Sequence, residues 1–122
     1  MITLKTLPDA TAQGVFDQVA RHLLTQNAKS TYATYTNSCK YRGHNGYKCA
    51  AGCLIADDEY KEEFEGLSWL SVGPVFRRPL ISRLQVTHDC IDLEEWKDQL
   101  LEIAEEFDLS AEVLKEFSDD PS

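Results

Sequence analysis

The sequence predicts an α+β fold that is mainly helical, with four to five helices around one small β-hairpin. Two long segments carry apolar residues at the three- and four-residue spacing of an amphipathic helix. Between them, residues 39–49 place glycine-rich turn residues between two short runs that are compatible with β-structure. The 122 residues fit a single domain, 1–122, which can bury a core without the help of a metal or a disulfide.

The first element is an extended arm over residues 1–8, and a helix follows with Asp9 or Thr11 as its N-cap. The apolar positions of this helix form one face: Ala12, Val15, Phe16, Val19, Ala20, Leu23 and Leu24. The opposite, outward face carries Gln13, Asp17, Gln18 and Arg21. The pattern stops near Asn27, and the Thr- and Tyr-rich residues 30–36 favour pleated or irregular structure.

The turn of the β-hairpin is predicted at residues 43–46, Gly-His-Asn-Gly, which separate the short runs 39–42 and 47–49. Glycine suits such a turn because it adopts positive φ at no steric cost. The small and apolar residues 49–55 then predict a short buried helix in which two cysteines lie one turn apart.

The second half of the chain predicts three further elements. Pro79 suits the first turn of a helix whose apolar stripe ends at His88. In the next helix the apolar residues are spaced 3, 4, 3 and 4 apart: Leu93, Trp96, Leu100, Ile103 and Phe107. Ser110 can cap a last short helix, and residues 118–122 should fray.

Charge is distributed unevenly along the chain, whose formal net charge is -9. Residues 1–52 hold six basic and two acidic side chains, and every other acid lies beyond Gly52. Repulsion from this acidic part disfavours direct binding of nucleic acid. An interaction face is predicted on the 93–107 helix, where it could attract a basic groove: Glu95, Asp98, Glu102, Glu105 and Glu106. The alternative is a solvated face without a partner.

Cys39, His44, Cys49 and Cys53 form a C-x4-H-x4-C-x3-C array that could hold a tetrahedral zinc ion. The array lacks the C-x2-C knuckle that makes zinc motifs specific, and a chain of this size does not need a metal in order to fold. The alternative is that the thiols are buried as small apolar side chains and that His44 is exposed in the turn. No other cofactor is expected.

Tyr41, Arg42, Tyr47 and Lys48 form an aromatic and basic cluster around the predicted turn. Such a cluster could bind a nucleotide-like anion, because arginine and lysine bind phosphate and a tyrosine ring can stack on a base. The alternative is an exposed hairpin whose basic side chains pair with the chain's own carboxylates.

A cysteine-dependent enzyme is a third possibility, in which Cys49 or Cys53 meets the imidazole of His88. No local motif marks such a pair. The dinucleotide, P-loop and hydrolase-elbow signatures are missing from the sequence as well. We therefore assign no catalytic residue.

The N-terminus has no long apolar segment, and no stretch of the chain approaches the ~20 apolar residues that span a bilayer. We therefore expect a cytoplasmic protein without a membrane partner. In that compartment the four cysteines should be reduced thiols and not a disulfide framework.

Part of the sequence is similar to a known group of proteins. The residues that carry the similarity are Cys39-x-Tyr41-Arg42-Gly43, Gly46-x-Lys48-Cys49-Ala50-x-Gly52-Cys53-Leu54-Ile55-x-Asp57, Leu84-Gln85-x-x-His88-Asp89 and Glu95-Trp96. Together they resemble a family of short uncharacterised proteins of bacteriophages and some bacteria, over about Thr11 to Leu109. The resemblance implies a small viral accessory protein in the cytoplasm of a bacterial host. It implies no catalytic role for any residue.

These observations favour a non-enzymatic, acidic accessory protein that binds a host macromolecule, for instance a protein. The contact would be made by the acidic helical face or by the cluster around the hairpin. The alternative is a ligand-binding module that holds zinc at the cysteines or a small anion at the hairpin.

Overall fold

The computed structural model describes residues 1–27, 41–42, 47–65, 67, 69–73 and 77–117. These residues form four α-helices: α1 (Ala12–Gln26), α2 (Trp69–Val72), α3 (Arg78–Cys90) and α4 (Trp96–Glu106). Short 3-10 helices lie between and around them: Leu7–Asp9, Gly52–Leu54, Glu62–Phe64, Leu93–Glu95 and Glu112–Phe117. Within the described ranges, every helix is too short or too polar to cross a bilayer.

The predicted β-hairpin is wrong, and so is the α+β fold class, because the described residues contain helices and no strand or sheet. Where the hairpin was expected, an isolated antiparallel bridge joins Arg42 and Lys48. The expected turn at residues 43–46 and the preceding residues 39–40 lie outside the described residues.

Side chains bind the backbone of both segments that the bridge joins. The Glu65 carboxylate accepts hydrogen bonds from the N–H groups of Tyr41 and Arg42, at 2.9 and 3.2 Å. The Lys48 N–H donates to Gln26 Oε1, and Gln26 Nε2 donates to the Lys48 carbonyl, each at 2.8 Å. Between the two segments themselves, the Cys49 N–H donates to the Tyr41 carbonyl at 3.4 Å, and the described residues show this one bridge.

Helix α1 confirms the prediction made from its apolar spacing. Thr11 is the N-cap, and its side chain accepts a hydrogen bond from the Gly14 N–H at 3.0 Å. The helix ends at Asn27, which takes a left-handed conformation with φ 48°. The buried residues are those of the predicted face: Val15, Phe16, Val19, Ala20 and Leu23.

Helices α3 and α4 also lie where their spacing predicted helices. In α3, Pro79 stands in the first turn, and His88 is fully buried at the end of the apolar stripe. The predicted 93–107 helix begins as the 3-10 helix Leu93–Glu95 and becomes α-helical at Trp96. Leu93 is 39% exposed, because a 3-10 turn has three residues per turn and displaces this side chain from the stripe of α4.

The predicted buried helix over residues 49–55 is present only as the 3-10 helix Gly52–Leu54. Its surroundings are nevertheless part of the core: Cys49, Ala50, Ala51, Leu54 and Ile55. Gly52 lies so close to Tyr41 that an added Cβ would stand 2.1 Å from the Tyr41 carbonyl oxygen. Glycine is therefore required here for the close approach of two backbone segments.

The core forms where α1 packs against α3 and α4, while the C-terminal 3-10 helix Glu112–Phe117 packs on α1. Ser110 precedes this last helix and accepts a hydrogen bond from the Glu112 N–H, at 3.2 Å. Trp96 is fully buried at the start of α4, and its indole N–H donates to the Ile91 carbonyl at 2.9 Å.

Two further glutamines of α1 bind backbone segments in the same way as Gln26. The Ile2 N–H donates to Gln18 Oε1 at 2.7 Å, and Gln18 Nε2 donates to the Ile2 carbonyl at 2.8 Å. Gln13 pairs with the N–H and the carbonyl of Ser110 at 2.7 and 2.9 Å. We call these three side chains, Gln13, Gln18 and Gln26, the glutamine clamps.

Replacement of a clamp should destabilise the fold according to how well the clamped backbone is shielded from water. Gln26→Ala leaves the partly buried N–H of Lys48 without its acceptor, which should lower the free energy of unfolding by about 1–3 kcal/mol. Urea denaturation measures the change. Gln13→Ala is the matched control, because its bonds to Ser110 are exposed and water can replace them. Equal losses in the two variants would contradict this account.

Candidate functional site

The structure places two of the four residues of the predicted anion-binding cluster in internal contacts. Tyr41 is 7% exposed, and its hydroxyl donates to the Leu67 carbonyl at 2.6 Å. Arg42 donates to the Asp57 carboxylate at 2.6 Å, and its guanidinium lies 4.8 Å from the ring centre of Tyr60. Burial raises the pKa of the Tyr41 hydroxyl well above its ordinary value, so this group stays a neutral donor. Neither side chain is presented for an incoming ligand.

Lys48 and Tyr47 are partly exposed, and Lys48 lines a surface groove of about 830 Å³ beside α1. A second cation of the groove, Arg21, forms a two-point ion pair with Glu116 at 2.9 and 3.1 Å. His22 Nε2 lies 2.8 Å from the Lys48 carbonyl, and burial lowers the pKa of this imidazole. The groove therefore contains few groups that could neutralise an anion, and anion binding stays a prediction.

The predicted zinc ligands are only partly described, since Cys39 and His44 lie outside the described residues. Cys49 is 1% exposed, and its Sγ accepts a hydrogen bond from the Gly52 N–H at 3.3 Å. The Cys53 thiol lies 3.1 Å from the Ala50 carbonyl, to which it donates. In the part of the chain that the structure describes, no three His, Cys, Asp or Glu side chains are grouped to hold a metal ion. Zinc binding stays a prediction, which elemental analysis of protein purified without chelator can test.

His88 lies in the core and contacts polar groups of its own helix. Its ring is fully buried, with the ring centre 5.7 Å from that of Trp96. The Nδ1 atom lies 2.8 Å from an Asp89 carboxylate oxygen, which also accepts from Gln85 Nε2 at 2.7 Å. Gln85 in turn accepts from the Ala51 N–H at 2.8 Å. This chain of hydrogen bonds connects α3 to the segment that contains the cysteines.

Burial disfavours a thiolate at either cysteine of the proposed enzyme site. It raises the pKa of the Cys53 thiol to about 12, and it raises the pKa of the Cys49 thiol further. A nucleophilic cysteine needs the opposite shift, toward or below neutral pH. The described geometry therefore gives no support to the cysteine-dependent enzyme.

Thiol labelling with iodoacetamide near neutral pH should separate the cysteines by exposure. Cys90 is exposed and should label at least about tenfold faster than Cys49, which is buried, or Cys53, which is partly exposed, because raised pKa values keep both of these thiols protonated. Mass spectrometry of peptides taken at successive times gives the three rates. In urea the difference should disappear. Rapid labelling of Cys49 or Cys53 in the folded protein would contradict this expectation and support the hypothesis of a cysteine-dependent enzyme.

The predicted interaction face is exposed on α4 and on the residue before it. All five of its carboxylates face solvent: Glu95, Asp98, Glu102, Glu105 and Glu106. They lie opposite the buried stripe of Trp96, Leu100 and Ile103. We call this set the acidic face.

Four of the five carboxylates of the acidic face form no ion pair with any described residue. Glu106 is the exception, because Arg83 of α3 approaches it to 3.0 Å. Other arginines are occupied elsewhere, Arg21 by Glu116 and Arg42 by Asp57. Because internal pairs take up these cations, the acidic face retains its negative charge.

A second groove, which the sequence did not predict, runs between α4 and the C-terminal 3-10 helix. It has a volume of about 710 Å³ and is lined by Lys97, Asp98, Leu101, Ala111, Glu112, Leu114 and Lys115. Leu101 is 44% exposed and lies between Asp98, three residues before it, and Glu105, four residues after it. The sequence contains one sign of this groove, which is that Leu101 lies outside the apolar stripe of its helix. Leu114, which also lines the groove, belongs to another element, so the sequence alone does not connect the two.

Comparison with protein-family models, with curated protein sequences and with solved structures gives no match in any of the three cases. What these surfaces bind must therefore follow from their own charge and shape.

Proposed function

We propose that this chain is a non-enzymatic, phage-encoded interaction protein that binds a basic surface of a host protein through the acidic face of α4. One observation carries the proposal: four exposed carboxylates lie together on α4 and the residue before it, and no described cation pairs with them. Such a surface attracts a positively charged partner and speeds its encounter. The phage origin and the bacterial host are part of this proposal, and they are what the resemblance described under the sequence analysis implies.

The spacing of the acidic residues also argues for a partner. Glu95, Asp98, Glu102 and Glu105 follow one another at intervals of three or four residues, so they are neighbours on the helix surface. Each such pair of like charges destabilises an isolated helix by ~0.2–0.5 kcal/mol. A purely structural surface would gain from lysines at alternate positions. A basic partner would remove the repulsion by neutralising the carboxylates.

The most suitable partner is a protein with a basic groove, such as one that itself contacts nucleic acid. A helix that carries a row of carboxylates presents negative charges along a line, as a nucleic-acid backbone does. The acidic face could thus occupy such a groove and exclude the nucleic acid. The rest of the chain needs to supply only a rigid support for α4, which packing against α1 and α3 provides.

Removal of the four unpaired charges tests the proposal. The variant Glu95→Gln, Asp98→Asn, Glu102→Gln and Glu105→Gln retains the size of each side chain, so the fold should persist by circular dichroism. Immobilised wild-type protein should capture basic proteins from bacterial lysate at low salt and release them as salt increases. The variant should capture at least about tenfold less, a difference that corresponds to roughly 1.4 kcal/mol of binding free energy.

The matched control removes the same number of charges from exposed positions outside the acidic face, by Asp9→Asn, Asp58→Asn, Glu62→Gln and Glu63→Gln. This control has the same net charge as the test variant, but it leaves the acidic face unchanged. It should therefore capture as much protein as wild type does. Equal capture by the two variants would refute a role for the acidic face.

A further inference from the structure

The groove between α4 and the C-terminal 3-10 helix combines an apolar floor with a charged rim. The floor consists of Leu101, Ala111 and Leu114, together with the aliphatic part of Lys97. The ammonium group of Lys97 donates to the Phe117 carbonyl at 3.0 Å, so its charge is engaged at the end of the 3-10 helix. Asp98 and Glu112 also line the groove. An apolar side chain that entered here would meet leucines, and its polar surroundings would meet two carboxylates and the ammonium group of Lys115.

The size of the groove is suited to a side chain of a protein partner. Its volume of about 710 Å³ lies within the ~300–1,000 Å³ of typical ligand pockets. One large aromatic residue buries about 150–250 Å², which makes it an effective anchor for such a groove. Binding energy at protein interfaces concentrates in such anchors, which are surrounded by polar contacts.

Charge complementarity identifies the kind of segment that would carry the anchor. Leu101 lies on α4 between Asp98 and Glu105, and the unpaired carboxylate of Glu102 follows it directly. A segment that placed an apolar side chain in the groove would therefore lay its neighbouring residues on the acidic face. Those neighbours must be lysines or arginines if the contact is to be favourable.

We infer that the groove receives an aromatic or large aliphatic side chain from a basic amphipathic helix of the partner, while the basic residues of that helix contact the acidic face. This inference rests on the proposed function and specifies the chemistry of its partner. Such a helix presents its apolar anchor and its basic residues on adjoining faces, as helix-in-groove recognition requires. The acidic face then governs the encounter, and the groove governs the lifetime of the complex.

At Lys115 the inference predicts that a substitution should strengthen binding of the partner helix. It lines the groove, is exposed, and forms no ion pair with another described residue. A basic helix would be repelled by this ammonium group. Lys115→Glu should therefore tighten binding of a basic helix, whereas other variants of the groove should weaken it.

Two fluorescein-labelled peptides test the inference by anisotropy titration. One is a helical peptide of Lys, Arg and Ala with a single Trp on its apolar face, and the other has Ala in place of that Trp. Wild-type protein should bind the Trp peptide about tenfold more tightly than the Ala peptide. Leu101→Gln should reduce this ratio to about twofold or less, and Lys115→Glu should tighten binding of both peptides by about twofold or more.

Leu67→Gln is the matched control, because Leu67 is 47% exposed and lies outside the groove, and it should leave the ratio unchanged. Salt-dependent binding of both peptides with equal affinity would overturn the inference while leaving the proposed function in place. The inference would also fall if Leu101→Gln left the ratio at about tenfold. If neither peptide binds, the inference and the proposed function are both overturned.

Discussion

The fold depends on side chains that satisfy the backbone of its irregular segments. The described residues contain no sheet, so the N–H and carbonyl groups outside the helices need other partners. The glutamine clamps of α1 supply them for three segments, and two carboxylates supply them for others. Glu59 accepts from the N–H groups of Leu4, Lys5 and Ala56 at 2.9–3.0 Å, and Glu65 accepts from two further N–H groups. Hydrogen bonds to charged acceptors are stronger than neutral ones, so these two glutamates are effective substitutes for a neighbouring strand.

The helices could be predicted from the sequence because their apolar periodicity records which face is buried. The clamps could not, because a glutamine on the outward face of a helix has the same pattern whether it contacts water or another segment. Gln13 and Gln18 were expected to face solvent, yet Gln13 binds Ser110, which is 97 residues away in sequence. The hairpin prediction was also wrong, since the described residues hold one isolated bridge and no strand. The contacts of Gln26 and Glu65 with the backbone beside that bridge join residues far apart in sequence, so no local pattern predicts them.

The candidate site likewise has one part that the sequence predicts and another part that depends on contacts between distant residues. The exposure of the acidic face follows from its position opposite the apolar stripe, and the sequence sufficed to predict it. Which cations neutralise it depends on contacts between distant residues, such as the pair of Arg83 with Glu106. The groove depends on two elements meeting, since Leu101 comes from α4 and Leu114 from the C-terminal 3-10 helix. The burial that raises the pKa values of Cys49 and Cys53 is likewise a tertiary property.

Helix α4 has one face that packs in the core and one face that carries charge. Trp96, Leu100 and Ile103 hold one face against α1 and α3, and they contribute packing energy that does not depend on surface charge. The carboxylates on the other face contribute little to that packing, because only Glu106 pairs with a neighbouring helix. The protein can therefore carry an unneutralised row of charge at a small cost to folding. No cation among the described residues relieves the remaining repulsion, so the surplus of acid on this surface does not add to the stability of the fold.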